Sequence, residues 1–200
     1  MPILMGLDLE TYSSAPLPRC GVYRYCDAPD FEILLFSYAF DDEPVQTIDL
    51  ARGETLPKEV ISALEDPDII KVAYNAQFDL NFLYYLLKPL GLVSVLRKPR
   101  FLDALTVYRD RRDYPHKLCN AIEAYGLTEA ENSHRAVDDA RATVLLLEAM
   151  AAEKDDLMRY IDLFGTHPKY GMSGKKIASV TYCPQPYDRR APLYELAHTM

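Results

Sequence analysis

The stretch GLDLETY, residues 6–12, ends an apolar run at the start of the chain and carries two acids, Asp8 and Glu10. Residues 2–9 are predicted to form a strand, and side chains at positions i and i+2 of a strand point the same way. Two carboxylates on one side of a buried strand lose hydration and repel each other. Either the strand end is solvated, which so short a pattern allows, or something compensates the two charges.

The composition is that of an ordinary globular protein, with 200 residues, 49% hydrophobic residues and a net charge of -8. Such an acidic chain attracts nucleic acid only through local basic patches or bound metal ions. Four cysteines without Cys-x-x-Cys spacing favour reduced thiols, and the N-terminus lacks the features of a signal peptide. We therefore expect a cytoplasmic protein, and no apolar stretch indicates membrane association.

The order of the predicted elements favours an α/β fold. Strands are predicted over residues 2–9, 31–40, 44–50 and 69–75, helices over 57–66, 76–88, 117–125 and 133–152, and a strand or strand-to-helix segment over 100–111. A meander followed by alternating strands and helices predicts a mixed sheet flanked by helices. Residues 13–30, rich in Ser, Pro and Asp, are predicted as a loop.

Two parts of the chain are expected to differ in organisation. Residues 1–152 are expected to form the core domain. Residues 153–200 are expected to extend it with the end of a helix to about Leu163, a turn-rich loop and a strand within IASVTY, residues 177–182.

Another candidate acid, Asp79, lies in NAQFDLNFL, residues 75–83. Phe78, Phe82 and Leu83 mark the buried stripe of a predicted helix, and Asp79 falls near its start. The alternative explanation is that a carboxylate at this position complements the helix dipole.

The segment SHRAVDDARATVLLLEAM, residues 133–150, supplies one more acid. At 100° per residue, one face of the predicted helix carries small and apolar residues, with Asp139 at its edge and Asp138 nearly opposite. Only Asp139 is therefore expected to face the sheet, and His134 precedes it in the turn or at the helix start. The alternative is that Ser133 caps the helix and the acids offset its dipole.

A single chemistry would use all these residues together. Four carboxylates from separate elements, Asp8, Glu10, Asp79 and Asp139, would repel strongly without a cation. Hard ions such as Mg²⁺ prefer oxygen ligands, and two such ions about 3.5–4 Å apart can clamp both oxygens of a phosphoryl displacement. His134 beside them could deprotonate the attacking water.

Three motifs in this order resemble those of the DEDDh 3′–5′ exonucleases, also called DnaQ-like. They are DxE (Asp8, Glu10), NxxFD (Asn75, Phe78, Asp79) and HxAxxDA (His134, Ala136, Asp139, Ala140). The resemblance covers about residues 3–150, and the part up to residue 40 is similar to exonuclease domains at the front of phage-type DNA polymerases.

This resemblance implies a ribonuclease H-like fold and a 3′–5′ exonuclease that releases 5′-mononucleotides from single-stranded DNA. By analogy, Asp8, Glu10, Asp79 and Asp139 would bind two Mg²⁺ ions, with Mn²⁺ as a substitute, and His134 would be the general base. Asp103 matches a frequent family aspartate and is expected behind the metal ligands.

The resemblance also implies candidates for substrate binding. Thr11, Tyr12 and Asn75 are expected to hold the terminal nucleotide, with Tyr12 able to stack on a base. Basic residues at 97–100, 109–112 and 175–176 are either solvated surface or contacts for more distant phosphates.

Several alternatives stay open from the sequence. The substrate could be RNA or short oligoribonucleotides instead of DNA. The chain could instead be a proofreading subunit that docks on a DNA polymerase or another replication or repair partner. A homodimer is a further alternative.

Overall fold

The computed structural model describes residues 3–92, 95–96, 100–127 and 136–162. Its strands are β1 (Ile3–Tyr12), β2 (Glu32–Phe40), β3 (Gln46–Asp49), β4 (Ile69–Ala73) and β5 (Arg100–Asp103). They form one sheet in the order β3-β2-β1-β4-β5. The pairs β1–β2 and β2–β3 are antiparallel, whereas β1–β4 and β4–β5 are parallel. The predicted mixed sheet flanked by helices is confirmed.

The described α-helices are α1 (Leu17–Cys26), α2 (Lys58–Glu65), α3 (Ala76–Leu87), α4 (Ala104–Arg111), α5 (Leu118–Ala124) and α6 (Ala136–Glu153). The helix predicted over 57–66 begins one residue later, with Pro57 as its N-cap. The helix predicted over 117–125 ends before Gly126, whose φ of 65° permits the left-handed turn. Ser133, the predicted cap of the last helix, lies outside the described residues.

The prediction of a loop over residues 13–30 is wrong, because α1 occupies the middle of that stretch. Gly21, with φ 76° and ψ 165°, breaks α1 into two short helical segments. Val22, Tyr25 and Cys26 of the second segment are buried against the apolar core. Tertiary burial thus outweighs the weak helical pattern of a segment that contains Pro18 and Gly21.

The prediction of a helix to about Leu163 is also wrong. The guanidinium group of Arg111 donates to the carbonyl oxygens of Met150 and Lys154, which lie at the end of α6. The chain leaves the helix after Glu153 and makes a 3₁₀ turn over Leu157–Tyr160. The loop and the strand predicted beyond this turn lie outside the described residues.

The segment after the 3₁₀ turn reaches the edge strand β5. Ile161 forms an antiparallel bridge with Leu102. The backbone N–H of Asp162 donates to the carbonyl oxygen of Phe101 at 2.7 Å, and the N–H of Phe101 donates to the Asp162 carboxylate at 2.9 Å. These bonds satisfy part of the outer edge of the sheet.

Two apolar layers cover the two faces of the sheet. One layer joins Met5, Leu7 and Leu9 of β1 to helices α1, α2 and α3. The other joins Ile70, Val72 and Leu102 to α4, α5 and α6. Within the described residues, no helix has both the length and the apolarity to cross a membrane.

Candidate active site

The acids of β1 lie where one edge of that strand is no longer covered by a neighbouring strand. Strand β4 pairs with β1 only from Ile3 to Gly6, whereas β2 follows β1 as far as Tyr12. Asp8 and Glu10 come after the end of the β4 pairing and are both half-buried. Their side chains leave the sheet on the same side, as the alternation of the strand requires.

Asp79 is placed by the tight turn from β4 into α3. Asn75 forms this turn in the left-handed conformation, with φ 74° and ψ 48°. Asp79 then falls in the first turn of α3, where it is 4% exposed. Its carboxylate accepts hydrogen bonds from its own backbone N–H and from that of Leu9 in β1. The turn therefore brings Asp79 against β1 at Leu9. Leu9 is the residue between Asp8 and Glu10 in the sequence.

A close contact between β1 and α6 governs the placement of Asp139. A Cβ atom on Gly6 would lie 2.4 Å from Cγ2 of Val144 and 3.1 Å from the carbonyl oxygen of Ala140. Only glycine therefore lets α6 approach this closely. Asp139 directly precedes Ala140 and is half-buried, as is Asp138.

The pKa of Asp8 is affected by burial and by the charges of three other acids. Burial is the first cause that raises the pKa of Asp8 well above its ordinary value. The negative charges of Asp79, Asp139 and Glu10 raise this pKa further, in that order. Acids from three separate elements thus act on one carboxyl group.

Asp103 is a buried acid that supports the turn carrying Asp79. One of its carboxylate oxygens accepts from the backbone N–H groups of Asn75 at 2.8 Å and Ala76 at 3.3 Å. The same carboxyl group caps α4 through the N–H of Leu105 and the hydroxyl of Thr106. Burial raises the pKa of Asp79, and the charge of Asp103 adds to that rise. Asp103 lies behind the acid cluster, as expected.

The acid cluster suits a hard divalent cation by its chemistry. Carboxylate oxygens are the ligands that such ions prefer, and the repulsion around Asp8 is the kind that a cation relieves. In the described part of the chain, no three His, Cys, Asp or Glu side chains are grouped as around a bound metal ion. The described acids thus affect one another's charge, but they are not grouped closely enough to coordinate a metal ion.

The three predicted substrate-binding residues have different surroundings. Tyr12 ends β1 and is 54% exposed, so its ring is accessible for stacking. Thr11 is half-buried, and its hydroxyl lies 3.1 Å from the hydroxyl of Tyr25. Asn75 uses its backbone N–H to bond Asp103. His134 lies outside the described residues.

Tyr25 is a residue next to the site that the sequence did not indicate. It reaches Thr11 from α1, within the stretch predicted as a loop. Its ring packs edge-on against Phe31, with ring centroids 5.7 Å apart. The spacing of Val22, Tyr25 and Cys26 was the available signal, although the neighbouring Pro18 and Gly21 obscured it.

Comparison with known proteins shows what this chain is similar to. An exonuclease family model matches residues 55–147, a range that includes Asp79 and Asp139. This match confirms the resemblance to exonucleases that the sequence motifs indicated. The mixed sheet flanked by helices is also the fold of solved nuclease structures.

Individual relatives are similar over part of the chain. A DNA polymerase of Bacillus phage SP02 is 60% identical over 75 residues, which cover 38% of this chain and 12% of the polymerase. The 3′-5′ exonuclease DinG of Staphylococcus aureus is 37% identical over 89 residues, which cover 44% of this chain and 10% of DinG. The chain thus spans about a tenth of the length of these relatives.

Solved structures share the fold at low sequence identity. The Mg²⁺- and Mn²⁺-bound form of S. pombe Pop2p has a TM-score of 0.57 and 12% identity, covering 81% of this chain and 89% of Pop2p. Trypanosoma brucei RNase D in complex with RNA has a TM-score of 0.52 and 17% identity, covering 78% of this chain and 59% of RNase D.

Proposed function

We propose that this chain is a metal-dependent 3′–5′ exonuclease of the DEDDh type that releases 5′-mononucleotides from single-stranded DNA. The observation that carries the proposal is the raised pKa of Asp8, which reports the charges of Asp79, Asp139 and Glu10 around it. A family match that includes two of these acids adds support. The 3′–5′ direction rests on the DinG relatives.

The four carboxylates would hold two Mg²⁺ ions, or Mn²⁺ in their place. When bound, such ions activate water and stabilise the charge of a phosphoryl displacement. Asp8 would contribute to this site most directly, since three other acids surround it. Asp79 would be held in position by the N–H of Leu9 and by the turn that Asp103 clamps.

His134 is proposed as the general base that accepts a proton from the attacking water through a ring nitrogen. The ordinary pKa of histidine lies near neutrality, which suits this role. Tyr12, Thr11 and Asn75 are proposed to hold the terminal nucleotide. Tyr12 would stack on its base, and Tyr25 would keep Thr11 in place through their hydroxyl contact.

DNA is the favoured substrate because a DNA polymerase is 60% identical over the matched 75 residues. The same relative supports a polymerase partner as a second proposal. RNA is the alternative substrate, since RNase D in complex with RNA shares the fold.

The decisive experiment follows a 5′-labelled single strand on a gel, with Mg²⁺ or with EDTA. A ladder that shortens from the 3′ end only with Mg²⁺ supports reaction class and direction together. DNA and RNA strands of equal sequence compared in parallel distinguish the two substrates. Asp8→Asn should remove the ladder and Asp138→Asn should keep it. An active Asp8→Asn variant would contradict the proposal.

A further inference from the structure

A second surface of interest lies around Tyr114, in the segment between α4 and α5. Tyr114 is 82% exposed, more than any other large apolar side chain on the surface of the described residues. Its ring packs edge-on against the ring of His116, with centroids 5.9 Å apart. An aromatic ring presented to solvent on an ordered base is a suitable platform for another planar group.

The base under Tyr114 is held by several contacts. The ring of His116 packs edge-on against buried Tyr108, with centroids 5.6 Å apart, and its Nε2 lies 3.1 Å from the carbonyl oxygen of Arg112. The hydroxyl of Tyr74 donates to the carbonyl oxygen of His116 at 2.8 Å. Tyr114 therefore stands on a fixed support.

Tyr74 connects this support to the candidate active site. It follows the last residue of β4 and directly precedes Asn75, which forms the turn leading to Asp79. The platform of Tyr114 therefore lies on the β4–β5 side of the same sheet edge. A strand whose 3′ end occupied the acid cluster could continue in this direction.

The charges around Tyr114 divide into two groups. Of the four Lys and Arg residues in 109–117, Arg111 and Arg112 form ion pairs with Glu153 or Asp156. Arg109 and Lys117 form no ion pair with any described residue. The buried Nε of Arg109 also lacks a hydrogen-bond partner within the described part of the chain. Arg109 and Lys117 thus carry charges that no described acid pairs, and both are close to Tyr114 in sequence.

Arg109 also affects the electrostatics of Tyr74. Burial raises the pKa of the Tyr74 hydroxyl, and the positive charge of Arg109 opposes that rise. Arg109 therefore lies close enough to Tyr74 to affect its pKa.

We propose that Tyr114, Arg109 and Lys117 form a contact surface for single-stranded nucleic acid upstream of the 3′ end. We call it the Tyr114 surface, and its role as a substrate contact rests on the proposed nuclease function. Tyr114 stacks on a base, which is largely independent of sequence, while the two cations face phosphates. Such a surface is compatible with the negative net charge of the protein, because its own positive charge is local.

The test compares Tyr114→Ala and Tyr114→Phe on a trinucleotide and on a twelve-nucleotide strand. Tyr114→Ala should raise KM for the long strand by about 5- to 100-fold, the usual worth of one stacked base, with kcat unchanged. KM for the trinucleotide should stay within about twofold, because it ends before the Tyr114 surface. Tyr114→Phe keeps the ring and should behave as wild type.

Two further variants sharpen the test. Leu90→Ala removes another exposed apolar side chain, beyond the far end of α3, and should leave both KM values unchanged. Lys117→Gln should lower the slope of log affinity against log salt by about 0.7, as expected for one lost phosphate contact on a single strand.

Opposite results would overturn the proposal. An unchanged KM for the long strand in Tyr114→Ala excludes stacking, and an equal rise for both substrates indicates a structural effect. A change in sedimentation coefficient in Tyr114→Ala would assign the surface to a second copy of the chain instead. Fluorescence anisotropy with a labelled twelve-nucleotide strand in EDTA tests binding without catalysis. Loss of binding in Tyr114→Ala would support the surface even if the wild type degraded nothing.

Discussion

The charged groups at the two ends of α6 are arranged in opposite ways. Near its start, Asp139 acts with Asp79 and Glu10 on Asp8, whose pKa is raised first by burial and then by these like charges. Near its end, the guanidinium of Arg111 lies 2.6 Å from the Asp156 carboxylate and 3.6 Å from that of Glu153. One end gathers repelling charges and the other pairs opposite charges.

The difference separates a cluster that costs stability from one that contributes it. Carboxyl groups whose pKa is raised in the folded state destabilise that state when they are ionised. Paired carboxylates, whose pKa is lowered, stabilise it at neutral pH. For Glu153 the hydrogen bond from Tyr125 is the first cause of the lower pKa. For Asp156, bonds from Lys154 and Arg111 outweigh the opposing effect of burial.

The largest expected effect is on activity, in Asp79→Asn. Loss of a residue that only supports a metal ligand costs about 10- to 100-fold in activity. The loss of Asp79, which is proposed as a ligand itself, should reduce nuclease activity by more than this. In EDTA the same variant should be more stable to urea than wild type, because the raised pKa of Asp79 costs stability at neutral pH and the amide oxygen can still accept from Leu9. Unfolding curves and initial rates measure both effects. A variant that loses activity and stability together would contradict the comparison.

The opposite change is expected in Arg111→Met at the other end of α6. Arg111 is 8% exposed, and its removal leaves Glu153 paired with Arg112 alone and Asp156 paired with Lys154 and Arg159. The free energy of unfolding should fall by about 1.5–3 kcal/mol, the usual worth of a hydrogen bond to a charged group, because both carboxylates are partly exposed and keep other partners. Urea unfolding provides the measurement, and rates at low temperature should remain near wild type. An unchanged stability would show that this pairing is only a surface feature.

A smaller effect is expected where β1 meets α6. Gly6→Ala should destabilise the fold by about 1–3 kcal/mol, because the new Cβ would overlap Val144. It should also reduce activity, since α6 carries Asp139. The double variant Gly6→Ala/Val144→Ala removes the overlapping methyl and should recover part of both losses. No recovery would mean that the overlap with Val144 is not the cause.

The smallest effect, counted per pH unit, concerns pH. The raised pKa of Asp8 means that the folded protein keeps a proton that the unfolded chain has already lost. Above about pH 4, the ordinary Asp pKa, the free energy of unfolding in EDTA should therefore fall as pH rises towards the folded-state value, by at most about 1.4 kcal/mol per pH unit for one proton. Urea unfolding of wild type and Asp8→Asn should show this loss in wild type and a smaller loss in the variant. Identical pH profiles would contradict the electrostatic account of Asp8.

The paired cluster should respond to pH in the other direction. The pKa values of Glu153 and Asp156 are lowered, so their stabilisation is present above about pH 4 and is lost as pH falls through the folded-state values. Arg111→Met should reduce this acid-side loss while leaving the alkaline-side loss intact. The two variants therefore test the two clusters separately.

Most elements could be predicted because their signals are local. Alternation and helical periodicity are properties of neighbouring residues, and β1, β4, α3 and the regular part of α6 follow them. Asp8 and Glu10 share a side because a strand alternates, and Asp79 lies in a first turn because its helix begins after Asn75. The motifs that contain these residues indicated the family before any contact was known.

Other features depended on partners distant in the chain. Helix α1 exists because its apolar side chains are buried against α3, and α6 ends where Arg111, 39 residues before Met150, binds its carbonyl groups. Only the tertiary structure divides the arginines of 109–112 into two groups. Arg111 and Arg112 have acidic partners, whereas Arg109 has none among the described residues. Composition treats these three arginines alike.

The sequence by itself determined most of the strands and helices and the resemblance to a family, since both depend on local spacing. Only the tertiary structure decided which charges repel and which are paired. Those energies depend on distance and burial, and both arise when segments far apart in the chain are packed together.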